Sequence, residues 1–211
     1  MLSINRREIK PREKDANAIL YGSCGTGKTT IIKADIKEIL SASKDKVYVF
    51  TTENLLREYD DIPEKENFFL FSHNALQNEA VWKQFFRDRT LESEPIWIFI
   101  DNGDNIEEEL YSKIEQLFLL ARGYHLIVTL AAYAFDEQIR KIASNASIQV
   151  FLKLPAYGLT CFPLSYLSAD EQAYIRRAQA GRPVLVKMFE EGKFTVKLQS
   201  DLEEELLYTK Q

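Results

Sequence analysis

Ala18-Ile19-Leu20-Tyr21-Gly22-Ser23-Cys24-Gly25-Thr26-Gly27-Lys28-Thr29-Thr30 is the stretch whose reading decides the architecture. Its first four residues form a short apolar run of the kind that makes a buried strand. Ile32, Ile36, Ile39 and Leu40 then recur at helical spacing over residues 29–40. Between strand and helix, Gly22 to Thr29 fits G-x-x-x-x-G-K-[ST] without a departure. Glycines at these places let the chain turn until successive backbone N–H groups face one anionic centre. The start of the following helix adds its positive dipole end. Lys28 supplies a charge for β- and γ-phosphates, and Thr29 a hydroxyl for Mg²⁺. Gly22, Ser23, Cys24, Gly25, Thr26, Gly27, Lys28, Thr29 and Thr30 are therefore the expected ATP-binding residues. Cys24 needs only to be small.

The pattern continues outward from this unit. Residues 47–51 and 67–71 read as strands, and residues 75–89 as a helix with Trp82, Phe85 and Phe86 inward. Pro95 introduces residues 96–100, apolar on both faces as a central parallel strand should be. Residues 106–122 form a helical pattern with Leu110, Ile114, Leu117 and Leu120 on one side. A strand at 125–130, a helix at 136–143 and a strand at 148–152 follow. Ser168 and Glu171 make a capping-box signature for a helix reaching Gln179. Residues 184–189 and 194–198, separated by a turn with Gly192, read as a closing hairpin. Strands alternating with helices imply an α/β fold: a three-layer P-loop NTPase sandwich with a mainly parallel central sheet and a C-terminal hairpin. Residues 16–199 form this domain, residues 1–15 a polar lead-in or linker, and residues 200–211 an acidic tail.

Composition narrows the class. At 211 residues the chain suits one domain, and 45% hydrophobic with 28% charged residues excludes a wholly disordered chain. No apolar run approaches the roughly 20 residues needed to cross a bilayer, and residues 1–11 do not resemble a secretory signal. Cys24 and Cys161 form neither a disulfide framework nor a zinc pattern, which makes a cytoplasmic setting the expectation. Twenty-seven Lys and Arg against thirty-two Asp and Glu leave a formal charge of −5. That argues against non-specific nucleic-acid binding, whose affinity rests on phosphate neutralisation.

Ile96-Trp97-Ile98-Phe99-Ile100-Asp101 reads as a Walker B strand that delivers Asp101 beside the loop, where it joins Thr29 in holding Mg²⁺. Lys28 and Asp101 are the expected catalytic residues. The position after Asp101 often carries a Glu that polarises water, but here it is Asn102, which cannot serve as a general base. Asp104 is the nearby carboxylate available for a displaced base. It also suits a helix N-cap or first turn.

Leu119-Leu120-Ala121-Arg122-Gly123-Tyr124-His125-Leu126-Ile127-Val128-Thr129, followed by Ala143-Ser144-Asn145-Ala146-Ser147-Ile148-Gln149-Val150-Phe151-Leu152-Lys153-Leu154, resembles the FtsK/SpoIIIE–HerA branch of P-loop ATPases. The likeness runs from Ala18 to Leu154, with a weaker match at Gly181-Arg182-Pro183, and it implies a RecA/FtsK-like fold. In that light His125 is a strand-edge residue fixed by packing. The resemblance marks two departures: Leu130 where the branch has a sensor Gln, and Asn102 where it has Glu. Together they imply a module that binds ATP and hydrolyses it slowly or not at all. Within the branch the chain looks most like a terminal ATPase module of the EssC/EccC coupling proteins of type VII secretion. That implies secreted proteins or adjacent modules of the same chain as partners, the cytosolic part of a membrane-anchored chain, no direct membrane contact by this segment, and a hexamer in the full assembly. The alternative is a DNA-translocating or genome-packaging ATPase, with an arginine finger drawn from Arg122, Arg140, Arg176 or Arg177. Each of these also reads as an exposed helix charge. A nucleotide kinase fits least. Residues 155–164 are apolar with Pro and Gly, and read either as a loop folded over the core or as a surface for a partner.

Overall fold

The computed structural model describes residues 17–86, 94–103, 106–133, 135–163, 165–179, 185–190 and 193–198. The lead-in, the acidic tail, Asp104 and Gly181-Arg182-Pro183 lie outside these residues.

In chain order the strands are β1 (Ala18–Tyr21), β2 (Lys46–Thr51), β3 (Phe68–Ser72), β4 (Ile96–Ile100), β5 (Leu126–Ala132), β6 (Ile148–Phe151), β7 (Leu185–Glu190) and β8 (Lys193–Leu198). The helices are α1 (Lys28–Ala42), α2 (Glu79–Phe86), α3 (Glu108–Tyr124), α4 (Glu137–Ala143), α5 (Ala156–Leu159) and α6 (Ala169–Arg177). Two 3-10 helices, Glu53–Tyr59 and His73–Gln77, flank β3. The strands join in one eight-stranded sheet of order β3-β2-β4-β5-β1-β6-β7-β8. β3 through β6 run parallel, and the closing β7–β8 hairpin is antiparallel. The fold is an α/β sandwich built on a mainly parallel central sheet.

Alternation along the strands divides the core between the two faces of the sheet. Ala18, Leu20, Val47, Val49, Trp97, Phe99 and Ala131 pack with Ile32, Ile36 and Ile39 of α1. Ile19, Tyr21, Phe50, Ile98, Ile100 and Leu130 turn the other way, onto α2, α3 and α4. All five residues of β4 are buried, as a strand covered on both faces requires. Among the described residues no helix is long and apolar enough to cross a membrane.

Several local expectations shift. The helix expected over 75–89 is instead a 3-10 turn, His73–Gln77, then α2; Asn78 between them is extended and its Oδ1 accepts from Ala80 N at 2.8 Å. Residues 87–89 lie outside the described set. α3 runs on through Gly123, and the left-handed residue that ends it is His125, at φ 52°. His125 is thus a helix cap, not the first residue of a strand. Leu120 faces out at 41% exposure beside Leu119 at 55%, because the inward stripe passes through Leu117, Phe118 and Ala121. The Ser168–Glu171 capping box forms with both of its hydrogen bonds.

Candidate nucleotide-binding site

The loop between β1 and α1 is anchored on both sides. Gly22 N donates to Ala132 O at the end of β5 (3.1 Å), and Ser23 N and Oγ both donate to Lys153 O beyond β6 (3.2 and 3.0 Å). Thr26 closes the turn by donating its Oγ1 and its N to Ser23 O (2.7 and 3.3 Å). A Cβ at Gly22 would meet Thr26 Oγ1 at 2.5 Å, so any side chain there would have to displace the hydroxyl that closes the turn. Gly27 is the N-cap of α1 in the left-handed region, φ 98°, without a side-chain cap. Cys24, Gly25 and Thr30 are exposed, which leaves the loop's outer rim open to a ligand. Lys28 Nζ arches back over the loop and donates to Gly22 O and to Ser23 O, the latter at 3.1 Å. These carbonyls hold the ammonium over the concavity where an anion would draw it.

Asp101, 1% exposed, leaves the end of β4 toward the start of α1. β5 lies between β4 and β1, so the carboxylate spans the width of one strand to reach the loop. Its Oδ2 accepts from Thr29 Oγ1 at 2.8 Å and from Tyr59 OH at 2.9 Å, while Oδ1 accepts from Asn102 N at 2.9 Å. The main-chain oxygen of Asp101 lies 2.7 Å from His73 Nε2. A carbonyl only accepts, so that nitrogen carries the hydrogen. Burial lowers the His73 pKa, which favours the neutral ring. Burial first, and the Asp101 carboxylate second, push the Tyr59 phenol far above its ordinary range, so it acts as a donor. Two hard oxygens, the Thr29 hydroxyl and the Asp101 carboxylate, side by side below an open loop are the donor set Mg²⁺ takes alongside phosphates.

Tyr59 and His73 belong to no motif, and the sequence reading passes over both. Tyr59 is held from α1: Lys33 Nζ donates to Glu58 O at 2.6 Å and pairs with Asp61 at 2.5 Å, and Lys37 pairs with Asp61 at 2.6 Å. The helix that carries Thr29 thus also grips the segment that carries Tyr59.

The two departures acquire physical reasons. Asn102 sits at φ 59°, a left-handed conformation that Asn tolerates better than Glu. A Cβ on Gly103 would stand 2.5 Å from Leu130 Cδ1 and 3.0 Å from Ala131 O, so this turn lies flush on β5. Leu130 itself packs on the α3 face, away from the loop. In the strand register Ile100 pairs with Leu130, which puts Ala131 level with Asp101 and on the face of α1. Leu130, at the position the resemblance gives to a sensor, thus faces the α3 side, and its neighbour Ala131 faces α1 with a methyl that offers no hydrogen bond either. Arg122, Arg140, Arg176 and Arg177 are all exposed on helices. Residues 155–163 fold back over the core: Leu159 and Phe162 are buried, and Tyr157 stays out at 66% exposure. A cavity of about 350 Å³ lies at the opposite end of the strands, between Asn17, Phe118, Asn145 and Gln149. Asn17 there is committed to Val128 N and Phe118 O, and Gln149 to Ala143 O and Tyr166 OH, so that cavity is remote from the loop chemistry.

Neither a protein-family model nor a curated protein sequence matches the chain. Solved structures do. The genome packaging NTPase B204 of Sulfolobus turreted icosahedral virus 2, in complex with ATP-gammaS, superposes with TM-score 0.57 at 13% identity, over 88% of this chain and 96% of that one. The cytoplasmic domain of the Thermomonospora curvata type VII secretion ATPase EccC gives TM-score 0.64 at 11% identity, over 88% of this chain and 25% of that one. The cytoplasmic domain of EssC gives 0.53 at 14%, over 93% and 40%. With the intact loop motif and its partner Asp101 in place, the chain has the fold of the FtsK/HerA-type P-loop ATPases.

Proposed function

We propose that this chain is a module that binds Mg·ATP and turns it over slowly. The 2.8 Å pairing of Thr29 with Asp101, beneath a loop whose outer rim is open, carries the reading. Gly22 to Thr30 would cradle the phosphates with main-chain N–H groups, and Lys28 would exchange its two carbonyl partners for β- and γ-oxygens. Mg²⁺, when bound, neutralises charge on the terminal phosphates. Thr29 and Asp101 would hold it. Slow turnover follows from Asn102, which cannot take a proton as a general base, and from Leu130 and Ala131, whose side chains cannot hydrogen-bond an attacking water. Asp104 is the carboxylate we assign to test first for a displaced base.

Titration of the intact protein with Mg·ATP is the test. Saturation at a hundredfold excess over Kd should raise stability by about 2.7 kcal/mol, and Lys28→Ala should remove most of that gain. No binding of ATP or ADP at millimolar ligand would refute the reading. Several turnovers per second, lost in Lys28→Ala, would refute slow hydrolysis.

For what the module acts on, we favour secreted proteins or neighbouring ATPase modules in the cytosol, within a hexameric assembly. The likeness to the EccC and EssC cytoplasmic domains and the charge of −5 support this. A second reading, genome packaging, is favoured by the likeness to B204 across 96% of that chain. Duplex DNA separates them. Weak binding at physiological salt with a shallow salt slope fits secretion, whereas tight binding with a steep slope fits packaging.

A further inference from the structure

The two sides of the nucleotide loop differ. On the β4 side stand Thr29 and Asp101, the groups that define where the metal and the terminal phosphates would lie. A triphosphate laid along the loop with that end fixed sends its nucleoside away from Asp101, toward the side of β6. The chain leaving β6 is tied to the loop at this point by the two hydrogen bonds from Ser23 to Lys153 O. Four residues further on is Tyr157, a large aromatic exposed at 66%. Tyr133, which follows β5 directly after the Ala132 carbonyl that anchors Gly22, stands behind it. The ring centroids are 6.2 Å apart at 45°, and the two hydroxyls are in hydrogen-bond contact. An exposed phenol ring, braced through its hydroxyl on a segment tied to the loop, has the makings of a stacking platform.

We infer that Tyr157, braced by Tyr133, stacks on the purine base of the nucleotide bound at the Gly22–Thr29 loop. This rests on the loop binding phosphates, and it adds the chemistry of the other end of the ligand. Stacking on a phenol ring recognises a π-face and contact area rather than a hydrogen-bonding edge, so the platform confers affinity for a nucleoside over bare polyphosphate. The four-residue α5 presents the ring but makes no other contact in this scheme. Leu154, Leu159 and Phe162 on either side of it are buried, so removing the Tyr157 ring leaves the core intact.

Calorimetric titrations with Mg·ATP and with Mg·tripolyphosphate, on the full chain, separate the two ends. Wild-type protein should bind ATP more tightly than tripolyphosphate. Tyr157→Ala should weaken ATP binding by about tenfold while leaving tripolyphosphate unchanged, since loss of one base-stacking ring has an effect of that order. Tyr157→Phe, which keeps the ring and loses the hydroxyl contact with Tyr133, should still prefer ATP, by a smaller factor than wild type. Equal affinity of wild-type protein for the two ligands, or ATP binding unchanged in Tyr157→Ala, would overturn the platform while leaving the phosphate loop standing. Parallel loss of both ligands in Tyr157→Ala would overturn it too, by showing that the residue shapes the loop. Failure of wild-type protein to bind either ligand would instead refute the nucleotide site itself.

Discussion

The two faces of the sheet solve different problems with the same alternating strands. The face under α1 carries one long helix and the 3-10 segment Glu53–Tyr59, and its polar groups converge on Asp101. The opposite face carries α2, α3 and α4 with a continuous aromatic layer in which Tyr21, Phe135, Phe151, Phe162 and Tyr166 stack and cross. One face is specified by directional bonds, the other by area. A single-residue change of facing along β5 therefore moves a side chain from one kind of environment to the other.

Leu130→Gln tests that difference with the largest expected effect. Placed by family pattern, a glutamine here would restore a sensor. Placed by the register, it buries an amide among Ile98, Ile100 and Leu110, which should destabilise the fold by about 1–3 kcal/mol and leave ATP turnover no faster. Denaturant unfolding together with a steady-state assay checks both halves. Faster turnover at unchanged stability would show that the strand is out of register with this description.

Tyr59→Phe removes one directional bond from the α1 face and keeps the ring. Asp101 would retain Thr29 and Asn102 as donors, so the expected loss is about 1–2 kcal/mol. The same change should shift the Mg²⁺ dependence of ATP binding, because a donor competing for Oδ2 is gone. An unchanged metal dependence would reduce Tyr59 to packing.

Much of this was legible before any coordinates. The unit from β1 to α1 carries a motif, a strand pattern and a helix pattern that agree. β4 announces itself by five consecutive apolar residues, and the capping box by the spacing of Ser168 and Glu171. What stayed hidden has no period to read. A 3-10 segment such as Glu53–Tyr59 is too short and irregular to leave an amphipathic stripe, so Tyr59 looked like any loop tyrosine. His73 acts through a main-chain carbonyl, which leaves no complementary residue type in the sequence. Leu130 and Ala131 are neighbours whose roles depend wholly on which faces α1, and apolar residues on both faces of a central strand conceal that choice.

The smallest effect concerns the grip of α1 on the Tyr59 segment. Hydrogen bonds from Lys33 and Lys37 hold the Asp61 carboxyl down to about 2, well below the ordinary carboxylate range. A carboxylate lowered on folding contributes stability that is fully present above its unfolded pKa. This contribution fades as pH falls from near 4 toward 2. The group is exposed, so added salt should erase most of the effect. Acid titration of Asp61→Asn beside wild type at low and high ionic strength reads it. A difference between the two that survives molar salt would contradict the surface character of the pair.

Gly27 has one more consequence. α3, α4 and α6 all begin with acidic residues in their first turn, and the last two also have a side-chain cap. α1 has neither, so its opening amides and dipole are left uncompensated by the protein. A phosphate bound at this end would act as a removable cap, supplying the acceptors and the charge that the protein leaves out. Ile31 N donates to Gly27 O at 3.0 Å, so the first turn is formed, and a bound phosphate should slow the exchange of its amides with solvent further. Lys33 and Lys37 lie on the next two turns and hold Asp61, so the helix whose first turn would meet the phosphate also bears on the segment that carries Tyr59.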